Sequence, residues 1–72
     1  MNHILIVEDD TTFALMLQTW LTKKGFAITS VSGVGAARRA LQDEAVDLVL
    51  CDLRLPDGEG IDLLEWLNAR RQ

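Results

Sequence analysis

Apolar residues along this chain fall into two alternating patterns, short unbroken runs and sets spaced by three and four. Ile4-Leu5-Ile6-Val7 is a continuous, largely β-branched stretch with no polar alternation. Such a run predicts a strand buried on both faces, the character of a parallel sheet. It ends at Glu8-Asp9-Asp10. From Thr11 onward Phe13, Met16, Leu17, Trp20 and Leu21 recur at helical steps, with Asp10 or Thr11 placed to cap the start and Gly25, just past Lys23-Lys24, placed to stop the end. Phe26-Ala27-Ile28-Thr29-Ser30-Val31 predicts a second strand, less apolar and so suited to an edge. Ser32 is placed to cap a second helix through Val34, Ala37, Ala40 and Leu41, whose small residues favour close packing on a sheet, although Gly33 and Gly35 weaken its first turn. Val46-Asp47-Leu48-Val49-Leu50-Cys51 predicts a third strand, again ending in acid at Asp52. Leu53-Arg54-Leu55-Pro56-Asp57-Gly58 reads as a loop with turn chemistry, and Ile61, Leu63, Leu64, Trp66 and Leu67 as a third helix.

A βαβαβα order without a linker or internal repeat implies one unit of parallel strands joined by right-handed crossovers. In open sheets of this kind sites lie beyond the carboxyl ends of the strands, where strand order reverses. With the first strand central and the third beside it, Glu8, Asp9 and Asp52 converge on one rim. Three carboxylates a few Å apart repel by about 4 kcal/mol per pair at an effective dielectric near 20, which calls for a counter-charge. A hard divalent cation such as Mg²⁺ prefers such oxygen ligands. A zinc set is not indicated, because His3 starts the first strand, at the opposite end, and Cys51 stands alone. Acids at strand ends also serve as helix caps and solvated loop residues; Asp10 reads as a cap, and Asp57 and Glu59 as turn and cap residues of the third helix.

Composition narrows the partners. The 72 residues are 49% hydrophobic and 25% charged, a globular balance, and the net charge of −4 argues against a nucleic-acid or anionic-membrane surface. No apolar run approaches the roughly 20 residues needed to span a bilayer, and Met1 leads straight into the first strand without a secretory pattern. One cysteine allows no internal disulfide, so a reducing cytoplasm is the expected compartment and nothing covalent staples a chain of marginal size. Trp20 and Trp66 read as packing or interface residues, Arg70-Arg71 as a favourable helix C-terminus, and Cys51 as an inert buried thiol.

Two segments carry a family resemblance: Ile4-Leu5-Ile6-Val7-Glu8-Asp9-Asp10, and Asp47-Leu48-Val49-Leu50-Cys51-Asp52-Leu53-Arg54-Leu55-Pro56-Asp57-Gly58. Together they make the whole chain, residues 1–72, resemble the receiver domain of bacterial two-component response regulators. The resemblance implies an α/β, flavodoxin-like fold of which this chain holds three parallel strands, in order 2-1-3, with three helices. It implies that Asp52 is the phosphoacceptor, charged by a sensor histidine kinase. Asp9 and Asp52 would ligate Mg²⁺ directly, Glu8 through water, and the Arg54 backbone carbonyl would complete the protein ligands. Pro56 and Gly58 would shape the loop carrying the metal. On this reading the segment is a signalling module of a transcription regulator rather than an enzyme, and makes no direct contact with nucleic acid or membrane.

The same resemblance implies two further strands and helices that these residues do not include. With them go a Ser or Thr that senses the phosphoryl group, a Lys that pairs with it, and the face used for signalling. The third strand is then expected to present an exposed apolar edge through which the chain pairs with a second copy. Two other readings stand beside this one. In the first, the chain is a non-catalytic, self-associating half-domain whose acids are a relic. In the second, it is a metal-dependent phosphohydrolase of the acid-nucleophile kind, which requires a second Asp where Arg54 stands.

Overall fold

The β-branched run at the N-terminus forms the centre of a three-stranded parallel sheet in a computed structural model, which describes residues 2–52, 54–55, 58–59, 65–66 and 68–69. The elements are β1 (His3–Val7), α1 (Thr11–Lys23), β2 (Ala27–Val31), α2 (Val34–Asp43), β3 (Leu48–Cys51), β4 (Arg54–Leu55) and β5 (Gly58–Glu59). The sheet order is β2-β1-β3, with β2 at an edge as its weaker hydrophobicity predicts. β1 pairs in parallel with β2 from His3↔Ala27 to Val7↔Val31, and with β3 from Ile4↔Leu48 to Val7↔Cys51.

Because neighbours flank β1 on both sides and a helix covers each face, its alternating side chains feed two separate cores. Leu5 and Val7 pack with Val34 and Ala37 of α2, and Val31, Val46, Val49 and Trp66 close around them. Ile4 and Ile6 pack with Ala14 and Leu21 of α1, joined by Leu17, Phe26 and Ile28. Val34 and Ala37 of α2 are thus at the sheet, as the small-residue pattern predicts. Trp66 is half-buried and serves packing.

Helix termini follow local chemistry, with one correction. Asp10 caps α1: its Oδ1 accepts from the Phe13 N–H at 3.1 Å. The C-terminal end closes by a Schellman motif, in which Gly25 N–H donates to Thr22 O at 3.0 Å and Phe26 N–H to Leu21 O at 3.2 Å. Gly25 sits at φ 96°, the left-handed region that a Cβ disfavours, which is why the stop falls on this glycine. Ser32 does not cap α2; Gly33 occupies the N-cap position without a side-chain hydrogen bond. An extended backbone at Gly33 carries the chain into the helix one residue later than the serine would require.

The face of α1 also departs from the periodic expectation. Ala14 and Leu21 are buried and Leu17 half-buried, whereas Phe13, Met16 and Trp20, with Leu15, are exposed. The apolar residues of this helix therefore cover two faces, and the sheet takes the one whose small Ala14 permits close approach. β3 starts at Leu48 rather than Val46, and in place of an irregular loop after Asp52 the backbone of 54–55 pairs antiparallel with 58–59. Of the expected third helix, residues 65, 66, 68 and 69 are helical, and its remaining positions lie outside the described residues. Among the described residues no helix is long and apolar enough to cross a membrane.

At the opposite end of the sheet from the acids, His3 ties three elements together. Its N–H donates to Asp47 Oδ2 at 2.7 Å, its Nδ1 lies 3.0 Å from the Ala45 carbonyl, and its Nε2 lies 2.7 Å from Thr29 Oγ1. Asp47 N–H returns a bond to His3 O at 2.8 Å. These bonds set where β3 begins.

The difference between the two caps is measurable. Asp10→Ala should lower unfolding free energy by about 1 kcal/mol in a urea titration. Ser32→Ala should change it by less than about 0.5 kcal/mol, since Ser32 is exposed and makes no cap bond.

Candidate functional site

Each strand that borders the switch in sheet order carries one acid just beyond its last residue, held by the backbone. Glu8 N–H donates to Val31 O at 3.0 Å, and Asp52 N–H donates to Val7 O at 2.9 Å. Both bonds extend the parallel ladder one step past the strands, so Glu8 and Asp52 stand side by side on the carboxyl rim. Asp9 follows in the bend between β1 and α1. One ligand oxygen from each of Glu8, Asp9 and Asp52 lies within 4.8 Å of the others. Glu8 and Asp52 are half-buried and Asp9 is exposed.

This crowding is unfavourable unless something offsets it. At 4.8 Å and an effective dielectric near 20 a pair of full charges repels by about 3 kcal/mol, and solvent at Asp9 reduces its share. The Asp10 N–H donates to Glu8 Oε2 at 3.1 Å and favours the Glu8 carboxylate. Burial and the neighbouring Asp9 and Asp52 carboxylates outweigh that bond, and the Glu8 carboxyl is held above its usual range. Three hard oxygen donors carrying excess negative charge suit a small divalent cation such as Mg²⁺.

Cys51 borders the rim without the properties of a ligand or nucleophile. Burial, and then the charges of Asp52 and Glu8, push its thiol up, so it stays protonated, and its Sγ–H donates to Asp52 O at 3.1 Å. Beside Glu8 and Asp52 a cavity of about 430 Å³ opens, with Ile6, Phe13, Leu17 and Leu50 as its apolar walls.

The structure brings Glu8, Asp9 and Asp52 together, as the strand ends predict, and leaves Asp10 as the cap. Arg54 lies two residues past Asp52 in β4, where its backbone pairs with Glu59; its side chain, and Pro56 and Asp57, lie outside the described residues. Glu59 belongs to β5 rather than to a helix cap. Sequence reasoning missed this pairing, although Pro-Asp between Leu55 and Gly58 is a signal for a two-residue reversal. It also missed a groove of about 550 Å³ on the other side of Glu8, where Thr11, Gln18, Ser30 and Ser32 stand among the apolar Ala14, Leu15, Val31 and Ala36. Hydroxyl residues flanking both β2 and the start of α1 were its only trace in the sequence.

A model of the family described as response regulator receiver domain matches residues 4–72. The chain is 36% identical over 71 residues to the transcriptional regulatory protein GltR of Pseudomonas aeruginosa, covering 99% of this chain and 29% of that protein. It is 39% identical over 72 residues to the transcriptional regulatory protein CpxR of Klebsiella pneumoniae, covering 100% of this chain and 31% of the relative. Among solved structures, it is similar to the MaeR response regulator bound to beryllium trifluoride, with TM-score 0.92 and 40% identity, over 100% of this chain and 61% of that one. The non-phosphorylated HemR receiver domain from Leptospira biflexa matches with TM-score 0.91 and 35% identity, over 96% and 56% of the two chains. The chain thus spans under a third of those curated relatives and somewhat over half of those solved chains.

The raised Glu8 carboxyl has a consequence for stability. A folded state that binds this proton more tightly than the unfolded state loses stability as pH rises from the usual glutamate range through the raised value. In EDTA, the melting temperature of the wild type should fall across that window while that of Glu8→Gln stays flatter. Thermal unfolding followed by circular dichroism at stepped pH checks this.

Proposed function

This chain belongs to the response regulator receiver domain family, and from that membership we propose that Asp52 accepts a phosphoryl group from the phospho-histidine of a sensor histidine kinase. Receiver domains are signalling domains rather than conventional enzymes, and their acidic site generally takes Mg²⁺. The observation that supports the reading here is the convergence of Glu8, Asp9 and Asp52 within 4.8 Å at the carboxyl rim. Asp9, Asp52 and the Arg54 backbone carbonyl would hold the cation directly, with Glu8 acting through water. When bound, Mg²⁺ supplies charge neutralisation for the acids and for the oxygens of the group being transferred.

The chain's own residues do the rest. The Asp52 carboxylate forms an O–P bond as the N–P bond of phospho-histidine breaks; the electron pair leaves on the imidazole nitrogen, which takes a proton from solvent. Asp52 can be aimed for in-line attack because its backbone is fixed by the bond to Val7 O at 2.9 Å. The neighbouring thiol of Cys51, held protonated, does not compete as nucleophile. That MaeR is seen with beryllium trifluoride, a stand-in for a phosphoryl group, supports the same use of this site. A kinase of this kind donates in the cytoplasm, which is the proposed location. Regulation of transcription, the role named for GltR and CpxR, is the process such a signal would serve.

The reading includes self-association at β3. On its α1-side face Leu48 is 51% exposed and Leu50 is 36% exposed, and one long side of the strand carries no pairing partner among the described residues. Such an edge favours pairing with a second copy. The same observation favours the competing reading, a non-catalytic self-associating half-domain.

The two readings part on chemistry. After incubation with acetyl phosphate and Mg²⁺, mass spectrometry should find an acid-labile phosphoryl adduct on wild-type Asp52 and none on Asp52→Asn. No adduct on the wild type, with no Mg²⁺ effect on tryptophan fluorescence and persistent association, would leave the half-domain reading.

A further inference from the structure

α1 carries a second apolar surface that the sheet does not use. Leu15 is 62%, Met16 63% and Trp20 58% exposed. With Thr12, Thr19 and Lys23 they outline a groove of about 440 Å³ along the outer side of the helix. Lys24 Nζ lies 5.3 Å from the centroid of the Trp20 ring, so a cation sits over the same surface. The two ends of this helix differ in sign: Glu8-Asp9-Asp10 precedes it, and Lys23-Lys24 ends it.

Thirteen residues at about 1.5 Å each separate those ends by about 20 Å. That exceeds the roughly 8 Å over which exposed charges act at physiological ionic strength. The basic end therefore does little to offset the acidic rim of its own chain. We propose that the outer face of α1 packs antiparallel against α1 of a second copy, so that Lys23 and Lys24 of each chain lie against the acidic rim of the other. Pairing centred on Met16 sets Trp20 across from Thr12, Lys23 across from Asp9 and Lys24 across from Glu8. Parallel pairing sets like charges together and is disfavoured, and the opposed helix dipoles favour the antiparallel order. The contact is isologous and closes as a dimer. Each copy contributes cations to the rim that holds Asp52, in addition to whatever metal is bound there. This rests on the reading of that rim as a charged site, but not on pairing through β3.

The experiment uses the full chain with Cys51→Ser, so that each added cysteine is the only one. Met16→Cys, at the symmetry axis, should form a disulfide-linked dimer rapidly under mild oxidation; Leu48→Cys serves as the probe of the β3 edge. Crosslinking at 16, with or without crosslinking at 48, supports the proposal, and crosslinking at 48 alone overturns it. In sedimentation equilibrium, Lys23→Glu with Lys24→Glu should weaken the Cys51→Ser dimer by about tenfold or more, and raising ionic strength should weaken it too. Circular dichroism should show unchanged secondary structure, because both lysines are exposed. An unchanged dimerisation constant after charge reversal, or a monomer at all concentrations, overturns the proposal. Failure of the phosphoacceptor reading would show instead as a missing Asp52 adduct with the crosslink at 16 intact.

Discussion

Burial of β1 on both faces and along both edges is the constraint on which the remainder of this structure depends. Leu5 and Val7 are wholly buried, and Ile4 and Ile6 nearly so. A strand so enclosed must receive a helix on each face and a strand on each side, which places α1 and α2 on opposite sides and β2 and β3 on opposite edges. The same strand orders the rim. Glu8 and Asp9 leave it directly, and Asp52 is fixed beside them through Val7 O. Its packing and the placement of the acids share one backbone, so damage to the core of β1 also displaces the acids.

Cover on the two faces of the sheet is unequal. On the α2 side β3 is backed by the cluster of Leu5, Val7, Val34 and Ala37, with Trp66 packed against it. On the α1 side the helix lies over β1 and β2, and Leu48 and Leu50 are left open to solvent beside Phe13 and Leu17. Apolar area left open in this way forgoes part of the hydrophobic stabilisation that its burial would give. Apolar faces of this kind are stable in water chiefly when something else covers them. The wedge between α1 and β3 and the outer side of α1 are separate surfaces, because Phe13 and Leu17 point into the first while Leu15 and Met16 line the second.

The acidic rim shows the cost of gathering carboxylates at the ends of adjacent strands. Nothing in folding favours three carboxylates within 4.8 Å, and burial together with the neighbouring Asp9 and Asp52 raises the Glu8 carboxyl. The fold tolerates them because the backbone bonds at Glu8 and Asp52 continue the sheet ladder and leave only the side chains in conflict. Asp10, one residue on, escapes by capping α1. Neighbouring acids in one run thus have different fates, decided by whether a helix N–H is within reach.

Much of this was legible without coordinates. Strand and helix identities followed from the period of the apolar residues, the stop at Gly25 from its place after two lysines, and the edge position of β2 from its polar content. Convergence of Glu8, Asp9 and Asp52 followed once parallel strand order placed two acid-ended strands side by side. What periodicity does not contain is which of two apolar faces on α1 meets the sheet, because Phe13, Met16 and Trp20 satisfy helical spacing as well as Ala14, Leu17 and Leu21 do. That choice depends on how closely the helix backbone approaches β1 and β2, where the small Ala14 fits. The cap of α2 passed from Ser32 to Gly33 for a similar reason, since the chain leaving β2 must extend one residue further before it can turn. Local sequence by itself determined the elements, their caps at α1 and the acids at strand ends, because these rest on contacts within a few residues. Only the tertiary structure decided which faces are buried, how near the carboxylates come and what stays uncovered, because these depend on distances between elements that no local pattern encodes.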